Sequence, residues 1–264
     1  MSSKESINKT LFVAFCLCVA CSIIVSGTAV VLKPRQDENR ILDRNKNVLS
    51  AAGLYDPAVD DDSNVAALFA QFTPRIVDLQ AGEFLSSEEV SDLGIDIATY
   101  DQRTVLNDPA YSNAVPADED IADIKRRVQY PMLYLQEIDG VVETIVLPIN
   151  GYGLWGIMYG FLALEGDGNT VKGISYYELR ETPGLGAEVR NPSWMAQWPG
   201  KQIYDASGEV ALTVVKGTGS GQYEIDGLSG ATLTTRGVDN MIEYWLGDNG
   251  YGPILDQFRS AAGN

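Results

Sequence analysis

Histidine is absent from this sequence, and cysteine is scarce: three cysteines in 264 residues. Without histidine the chain cannot build a Ser-His-Asp or Cys-His catalytic group, an imidazole general base or a histidine-containing zinc site. Because Cys16, Cys18 and Cys21 all lie near the N-terminus, neither disulfides nor a cysteine-only metal site can hold the rest of the chain. We therefore predict that this chain contributes no catalytic residue and no metal ligand, which excludes most hydrolase chemistry.

Positive charge is also scarce. The chain has 19 Lys and Arg against 36 Asp and Glu, a formal net charge of −17. Such an acidic chain repels phosphate backbones, so we predict that nucleic acid is not a partner. Apolar residues make up 45% of the sequence, enough to form a sizeable core. The length allows one large domain or two small ones.

One long segment, residues 10–32, carries no charge and reads TLFVAFCLCVACSIIVSGTAVVL. At about 1.5 Å per residue, a helix of this length crosses a hydrocarbon core of about 30 Å. The apolar region of a cleaved signal peptide is normally only about 7–15 residues long, and lipoprotein processing at Cys21 would cut inside the apolar segment. We predict an uncleaved transmembrane anchor over residues 10–32, preceded by a cytoplasmic N-terminus of residues 1–9.

The distribution of positive charge around this anchor argues against a cytoplasmic N-terminus. Two lysines precede it and five basic residues follow it closely: Lys4 and Lys9 before, and Lys33, Arg35, Arg40, Arg44 and Lys46 after. Counting positive charges alone would leave the C-terminal part in the cytoplasm.

After the anchor, the sequence predicts helical and irregular structure over residues 33–130. A polar connector of residues 33–39 leads into a helical segment that ends near Gly53, and apolar spacing predicts a second helix over residues 64–72. Residues 80–120 read as irregular. A short helix is expected over residues 117–127.

From residue 131 onward the pattern is mainly that of strands. Strands are predicted at residues 132–135, 141–148, 156–164 and 171–179, and a hairpin is expected between residues 210–216 and 222–225. A last helix begins near Thr234, with four apolar residues at i, i+3, i+4 and i+7: Val238, Met241, Ile242 and Trp245. The fold class is therefore α+β, in which strands form a sheet that helices flank.

Gly151, Gly153 and Gly156 spell G-x-G-x-x-G, the pattern of dinucleotide-binding turns. In that motif the last glycine opens a helix, whereas the residues after Gly156 read as a strand, so we do not predict a Rossmann site. Trp155, which lies within this segment, is interpreted either as a core residue or as an exposed stacking surface.

Two further runs contain small residues. Residues 181–186, ETPGLG, would let the backbone approach a flat ligand closely, or would form an ordinary tight turn. The second run, residues 226–235, reads DGLSGATLTT and would leave one hydroxyl accessible just before a helix. A phosphate there would meet the free N–H groups of the helix start. The alternative is an ordinary helix start rich in Ser and Thr.

Taken together and in this order, GYGLW, ETPGLG and DGLSGATLT resemble the FMN-binding domain family whose flavin is joined to threonine through its phosphate. The anchor followed by LDRNKNVLSAAGLYD, DIKRRVQYPMLYL and LPINGYGLWGIMYGFLAL is similar to the C-subunit family of the sodium-translocating NADH:quinone oxidoreductase (Nqr). The resemblance covers nearly the whole chain and is weakest over residues 80–115. It implies that residues 131–264 form an FMN-binding domain with a mainly antiparallel sheet.

The resemblance also implies which residues hold the cofactor. Thr232 would accept FMN in a phosphoester that a flavin transferase makes from FAD, with loss of AMP. The other implied residues are those that shape the acceptor loop or surround the phosphate and the ring: Ser229, Gly230, Ala231, Leu233, Thr234, Trp155, Thr182, Gly184, Leu185 and Lys216. Lys216 reads equally as a surface lysine at the end of the predicted hairpin.

By the same resemblance, the chain would be a single-pass protein of the cytoplasmic (inner) membrane with its C-terminal domain on the periplasmic side. It would relay electrons between cofactors of partner subunits, and the A, B, D, E and F subunits of the complex would be those partners. Two alternatives stay open: the G subunit of the Rnf electron-transport complex, which shares SGAT and ETPGLG runs, and a membrane-anchored binding module without redox function.

This sequence departs from the family pattern at one place. Relatives often carry a histidine shortly before ETPGLG, where this chain has Glu178, Leu179 and Arg180. The fold cannot depend on that histidine, although the flavin potential or partner docking can differ.

Overall fold

The computed structural model describes residues 7–262, so residues 1–6 of the predicted N-terminal segment and the last two residues of the predicted C-terminal domain lie outside the described residues. The chain divides into two compact units, with the boundary between Asp43 and Arg44. The first unit consists of helix α1 (Ile7–Ala51) up to that boundary. This helix is long and apolar enough to cross a membrane, and its large apolar side chains between residues 7 and 41 are exposed in the isolated chain.

The predicted polar connector over residues 33–39 is helical, because α1 continues through it with Pro34 inside the helix. The polar residues there favour helix rather than end it. Lys33 and Asp37, four residues apart, form an ion pair of 3.7 Å on the helix surface.

The second unit contains all the described strands and the remaining helices. The strands are β1 (Phe72–Asp78), β2 (Glu83–Phe84), β3 (Ser112–Ala114), β4 (Arg126–Val128), β5 (Met132–Ile138), β6 (Val141–Tyr152), β7 (Ile157–Glu165), β8 (Val171–Glu178), β9 (Thr213–Val215) and β10 (Glu224–Asp226). The helices after α1 are α2 (Val65–Phe69), α3 (Ser87–Asp92), α4 (Pro192–Met195), α5 (Thr232–Leu246) and α6 (Gly252–Ala262). Two 3-10 turns, Asp62–Asn64 and Gly186–Arg190, complete the set.

A six-stranded sheet in the order β2-β1-β5-β6-β7-β8 forms the centre of this unit, and all its pairs are antiparallel. The architecture is therefore α+β with a mainly antiparallel sheet, as the sequence predicts. Strands β6 and β7 have long stretches in which every residue is buried, because both faces of the sheet are covered. The dinucleotide interpretation of G-x-G-x-x-G stays excluded, since a strand and not a helix follows Gly156.

Helix α5 covers one face of the sheet next to the end of β6. Its predicted apolar face is confirmed, since Val238, Met241 and Ile242 are fully buried. The close approach depends on glycine: a Cβ atom on Gly151 of β6 would lie 2.7 Å from the Cβ of Met241, and one on Gly237 of α5 would collide with the carbonyl of Tyr152.

The last turns of α1, within the second unit, pack against β8. Ser175 Oγ donates a hydrogen bond of 2.8 Å to the carbonyl of Asn47. A Cβ atom on Gly173 would lie 2.5 Å from the carbonyl oxygen of Ala51. Nearby, Lys46 and then Tyr55 donate hydrogen bonds to the carboxylate of Asp62 and lower its pKa.

Residues 117–127 do not form the predicted helix; they form turns that lead into β4. The Asp120 carboxylate accepts hydrogen bonds of 2.8 Å from the backbone N–H groups of Ile124 and Lys125. Asp123 and Lys125 have φ of 53° and 65°, which a right-handed helix cannot accommodate. A side chain has taken the amide groups that a helix would have used.

The predicted hairpin between residues 210–216 and 222–225 is also wrong, because β9 and β10 pair in parallel. The glycine-rich link between them forms a wide loop instead of a tight turn. In that loop Asp226 Oδ1 accepts a hydrogen bond of 2.8 Å from the N–H of Gly219, and the N–H of Gly227 donates to the carbonyl of Gly217 at 2.8 Å. The loop therefore returns the chain so that β10 runs in the same direction as β9.

Candidate functional site

An exposed hydroxyl group lies at the first residue of α5. Thr232 is exposed, and the residue before it, Ala231, has no side-chain hydrogen bond that caps the helix. The preceding loop is fixed by Thr235, whose hydroxyl accepts from the N–H of Leu228 at 3.0 Å and donates to the carbonyl of Ala231 at 3.1 Å. Gly230 has φ of +75°, which favours glycine. The first N–H groups of a helix have no intrahelical partner, so this hydroxyl lies where an anion is favoured.

One buried carboxylate, Glu181, joins all three sequence runs. Its Oε1 atom accepts hydrogen bonds from the N–H groups of Leu154 at 2.9 Å and Trp155 at 3.0 Å. Its Oε2 atom accepts a hydrogen bond of 2.6 Å from the hydroxyl of Thr234. Only 6% of Glu181 is exposed. GYGLW, ETPGLG and DGLSGATLTT therefore meet at a single side chain.

Two glycines make room for this carboxylate. A Cβ atom on Gly153 would lie 2.5 Å from Glu181 Oε1. A Cβ atom on Gly186 would lie 2.5 Å from the hydroxyl oxygen of Thr234 and would collide with Glu181 Oε2. The small residues of the first two runs thus serve the contact with Glu181, in addition to any ligand that the site accepts.

Large apolar side chains around this junction are exposed. Trp155 is 63% exposed, Leu233 is 52% exposed and Leu185 is 43% exposed. Trp155 is therefore not a core residue, which leaves the stacking surface of the two interpretations that the sequence allowed. A Cβ atom on Gly230 would lie 3.2 Å from Leu185 Cδ2, so the ETPGLG loop contacts the loop before Thr232.

The other predicted site residues occupy two neighbouring loops. Thr182 and Gly184 are exposed in a turn in which the N–H of Leu185 donates to the carbonyl of Thr182 at 3.1 Å. Ser229 is exposed in the loop before α5, whereas Ala231 is buried.

Thr234 and Lys216 differ from what the sequence suggested. Thr234, whose hydroxyl was expected to contact a phosphate, is a buried residue, only 1% exposed, and its hydroxyl donates to Glu181. Lys216 is exposed directly after β9, but no hairpin ends there.

Sequence reasoning missed Glu181 as an individual residue, although it stands at the start of a predicted run. The sequence does contain an indication of its role: an acidic residue lies between a predicted strand and a glycine-rich turn. A carboxylate that is buried at such a place needs hydrogen-bond donors. The identity of those donors depends on contacts with residues 154, 155 and 234, which no local pattern reveals.

The charges around the site form a pattern of their own. Among the described residues from 44 to 262, three cations have no hydrogen bond, ion pair or aromatic contact: Arg180, Lys216 and Arg236. Every other lysine and arginine in that range has a partner. Arg180 packs against Gly156 and precedes ETPGLG, and Arg236 lies one helical turn after Thr232. Unpaired positive charge thus flanks the three runs in an otherwise acidic chain.

Comparison with known proteins matches this chain to a family over the same residues. The FMN-binding domain family matches residues 153–247, which include most of GYGLW, all of ETPGLG and the loop before α5. The C subunit of the Na(+)-translocating NADH-quinone reductase of Pseudomonas aeruginosa is 46% identical over 264 residues, which cover 98% of each chain.

Solved structures agree with this match. A crystal structure of Shewanella oneidensis NqrC has a TM-score of 0.71 and 33% identity over 83% of this chain and 98% of that chain. The crystal structure of the C subunit of the Na(+)-translocating NADH-quinone reductase from Parabacteroides distasonis has a TM-score of 0.63 and 26% identity, covering 85% of this chain and 96% of that chain. This chain therefore belongs to the C-subunit family of the Na(+)-translocating NADH-quinone reductases.

Proposed function

We propose that this chain is the electron-transfer subunit of a sodium-pumping NADH:ubiquinone oxidoreductase, carrying FMN in a phosphoester with Thr232. The observation that carries the proposal is the exposed Thr232 hydroxyl at the start of α5, in a loop that Glu181 ties to the other two runs. When bound, FMN supplies one- or two-electron transfer. The chain holds and orients it.

The residues around Thr232 fit a phosphate. The free N–H groups of the first helical turn and the positive end of the helix dipole favour a negative group there. Arg236, one turn along the same helix and without a partner, can pair with that group in a charge-assisted hydrogen bond. Its planar guanidinium matches a phosphate better than an ammonium group does.

Attachment needs no base from this chain. The Thr232 oxygen forms a bond to the phosphorus of the FMN part of FAD, the bond from that phosphorus to the AMP oxygen breaks, and AMP leaves. We assign removal of the hydroxyl proton to the flavin transferase. An acceptor chain without histidine is consistent with this division of labour.

The apolar residues around the junction fit a flat aromatic ring. Trp155, Leu185 and Leu233 offer exposed apolar surface within the three runs. Gly184 has φ of +76°, and a Cβ atom placed on it would have no other atom within 4 Å. The backbone at Gly184 is therefore open to close approach by a ring. Burial of this surface under the ring would be favourable at about 25 cal/mol per Å² of apolar area.

The anchor and the comparisons support a place in the membrane complex. Helix α1 can cross a membrane, and relatives named as the C subunit of the reductase match this chain over nearly its full length. We assign the A, B, D, E and F subunits as partners and place the second unit on the periplasmic side. A covalent link prevents loss of the flavin on a side where no FMN pool would replace it. The full-length match supports this assignment over the Rnf alternative, and the FMN-binding match supports it over a non-redox module.

The test is a Thr232→Ala substitution in the assembled complex, with Ser193→Ala as the control. Ser193 supplies an exposed hydroxyl in α4, outside the three runs. The Thr232→Ala complex is expected to assemble without flavin on this chain and to lose NADH-driven quinone reduction. The Ser193→Ala complex is expected to keep both the flavin and the activity. A flavin-free Thr232→Ala chain in a fully active complex would contradict the proposal.

A further inference from the structure

We propose that Glu181 is a positioning residue for flavin attachment: its carboxylate holds the first turn of α5 and the backbone of Leu154 and Trp155 in one arrangement. In that arrangement the Thr232 hydroxyl is presented for attachment and the Trp155 indole is presented to the ring. This inference rests on the proposed function and adds to it the group that assembles the site.

The contacts of Glu181 use both of its oxygens. Two backbone N–H groups and one hydroxyl donate to it, and no other side chain of the described residues makes a hydrogen bond to it. A buried carboxylate is costly unless it is hydrogen-bonded, and charge-assisted bonds of this kind are stronger than neutral ones. These three bonds therefore offset the burial of Glu181 and fix the groups that donate them.

Space around Glu181 leaves little freedom. Gly153 approaches one oxygen and Gly186 the other, so neither backbone segment can carry a side chain toward the carboxylate. An aspartate at this position would retract the carboxylate by about 1.5 Å. It could not reach the N–H groups and the hydroxyl together.

The link to Thr232 runs through the first turn of α5. Thr234 lies two residues after Thr232, and its bond to Glu181 fixes where that turn begins. The link to Trp155 runs through its backbone: the indole is mostly exposed, yet its N–H is held at 3.0 Å from Glu181 Oε1. An exposed ring is thus placed by a buried bond.

The experiment uses the full chain, purified in detergent, with purified flavin transferase and FAD. The variants are Glu181→Ala and Glu181→Gln, because an amide still accepts from the two N–H groups through one oxygen. The control is Thr144→Val, which removes another buried threonine hydroxyl that donates to a side chain, Gln136, at 2.8 Å and lies elsewhere in the sheet. A further variant, Thr234→Val, removes only the hydrogen bond between α5 and Glu181 and keeps the bonds to the N–H groups of Leu154 and Trp155.

Two readouts separate positioning from general stability. Amide hydrogen exchange at Leu154 and Trp155, measured before flavin is attached, is expected to accelerate in Glu181→Ala and to stay unchanged in Thr144→Val and Thr234→Val. The rate of flavin attachment is expected to fall roughly tenfold in Glu181→Ala, since the three donors lose their acceptor. Attachment is expected to be partly restored in Glu181→Gln and unchanged in Thr144→Val.

Normal exchange at both amides together with wild-type attachment in Glu181→Ala would overturn the inference. So would an equal loss of attachment in Thr144→Val, because the effect would then follow stability alone. If Glu181→Ala does not fold, Thr234→Val replaces it: attachment is expected to slow because the bond that fixes the first turn of α5 is lost, and wild-type attachment in Thr234→Val would overturn the inference. Failure of the unsubstituted chain to accept flavin would instead contradict the proposed function, and hydrogen exchange would still test Glu181.

Discussion

At the scale of single residues, three threonines in one turn of α5 have three different environments. Thr232 is exposed, and its hydroxyl makes no hydrogen bond within the described residues. Thr234 is buried and donates to Glu181, and Thr235 bonds within its own loop. Only the first of these hydroxyls is available to react. The sequence T-L-T-T does not distinguish them, whereas burial and hydrogen bonding do.

Arg236 gives a prediction at this scale. Replacing it with glutamine is expected to slow flavin attachment to Thr232 by about two- to fivefold, the range of an exposed ion pair. The effect should shrink as salt rises, because salt screens the attraction between a guanidinium and a phosphate. Stopped reactions analysed by mass spectrometry at low and high salt measure it.

The matched control for Arg236 is Lys125→Gln, which makes the same change in net charge. Lys125 already forms an ion pair with Asp123 and lies outside the three runs. If both substitutions slow attachment equally, the effect is due to net charge alone and Arg236 has no local role.

At the scale of elements, the sequence predicted the strands and helix faces that depend on the spacing of apolar residues. Strands β5 to β8 and the buried face of α5 follow from runs of apolar residues and from helical spacing. The parallel pair of β9 and β10 could not be predicted in this way, because a glycine-rich link is compatible with either direction. The turns at residues 117–127 depend on Asp120, whose carboxylate competes with the helix for two amide groups.

The candidate site was predictable only in part, because local sequence patterns do not reveal contacts between distant residues. The three runs, and the expectation of one accessible hydroxyl before a helix, can be read from small residues, whereas the choice of Thr232 rested on the family resemblance. The junction at Glu181 joins residues about 27 and 53 positions away, a separation that no local pattern encodes. The hydrogen bond from Thr234 to Glu181 belongs to that junction and so was not predicted.

Gly237 gives a prediction for the packing of α5. Alanine is the better helix former by about 1 kcal/mol. Here the added Cβ would collide with the carbonyl of Tyr152, so Gly237→Ala is expected to lower the free energy of unfolding by about 1–3 kcal/mol. Chemical denaturation of the chain in detergent measures it. The control, Glu243→Ala on the exposed face of the same helix, should change stability little. A stabilised Gly237→Ala variant would show that α5 does not approach β6 this closely.

At the scale of the whole molecule, the proposed function depends on which side of the membrane the second unit occupies. A cysteine at the exposed position 206 (Ala206→Cys) is expected to react with a membrane-impermeant thiol reagent on intact cells. The natural cysteines lie in the apolar anchor and should react little. Ser3→Cys, before the anchor, is expected to react only after the membrane is made permeable. The opposite pattern would follow the count of positive charges and would contradict the periplasmic assignment.

The central claim is that Thr232 carries FMN, and intact mass tests it most directly. The chain is co-expressed with a flavin transferase, beside its Thr232→Ala and Ser193→Ala variants, and the intact mass of each product is measured. We predict an addition of FMN minus water on the unsubstituted chain and on Ser193→Ala, and none on Thr232→Ala. An unmodified chain beside a transferase that modifies another substrate, or an addition that survives Thr232→Ala, would contradict it.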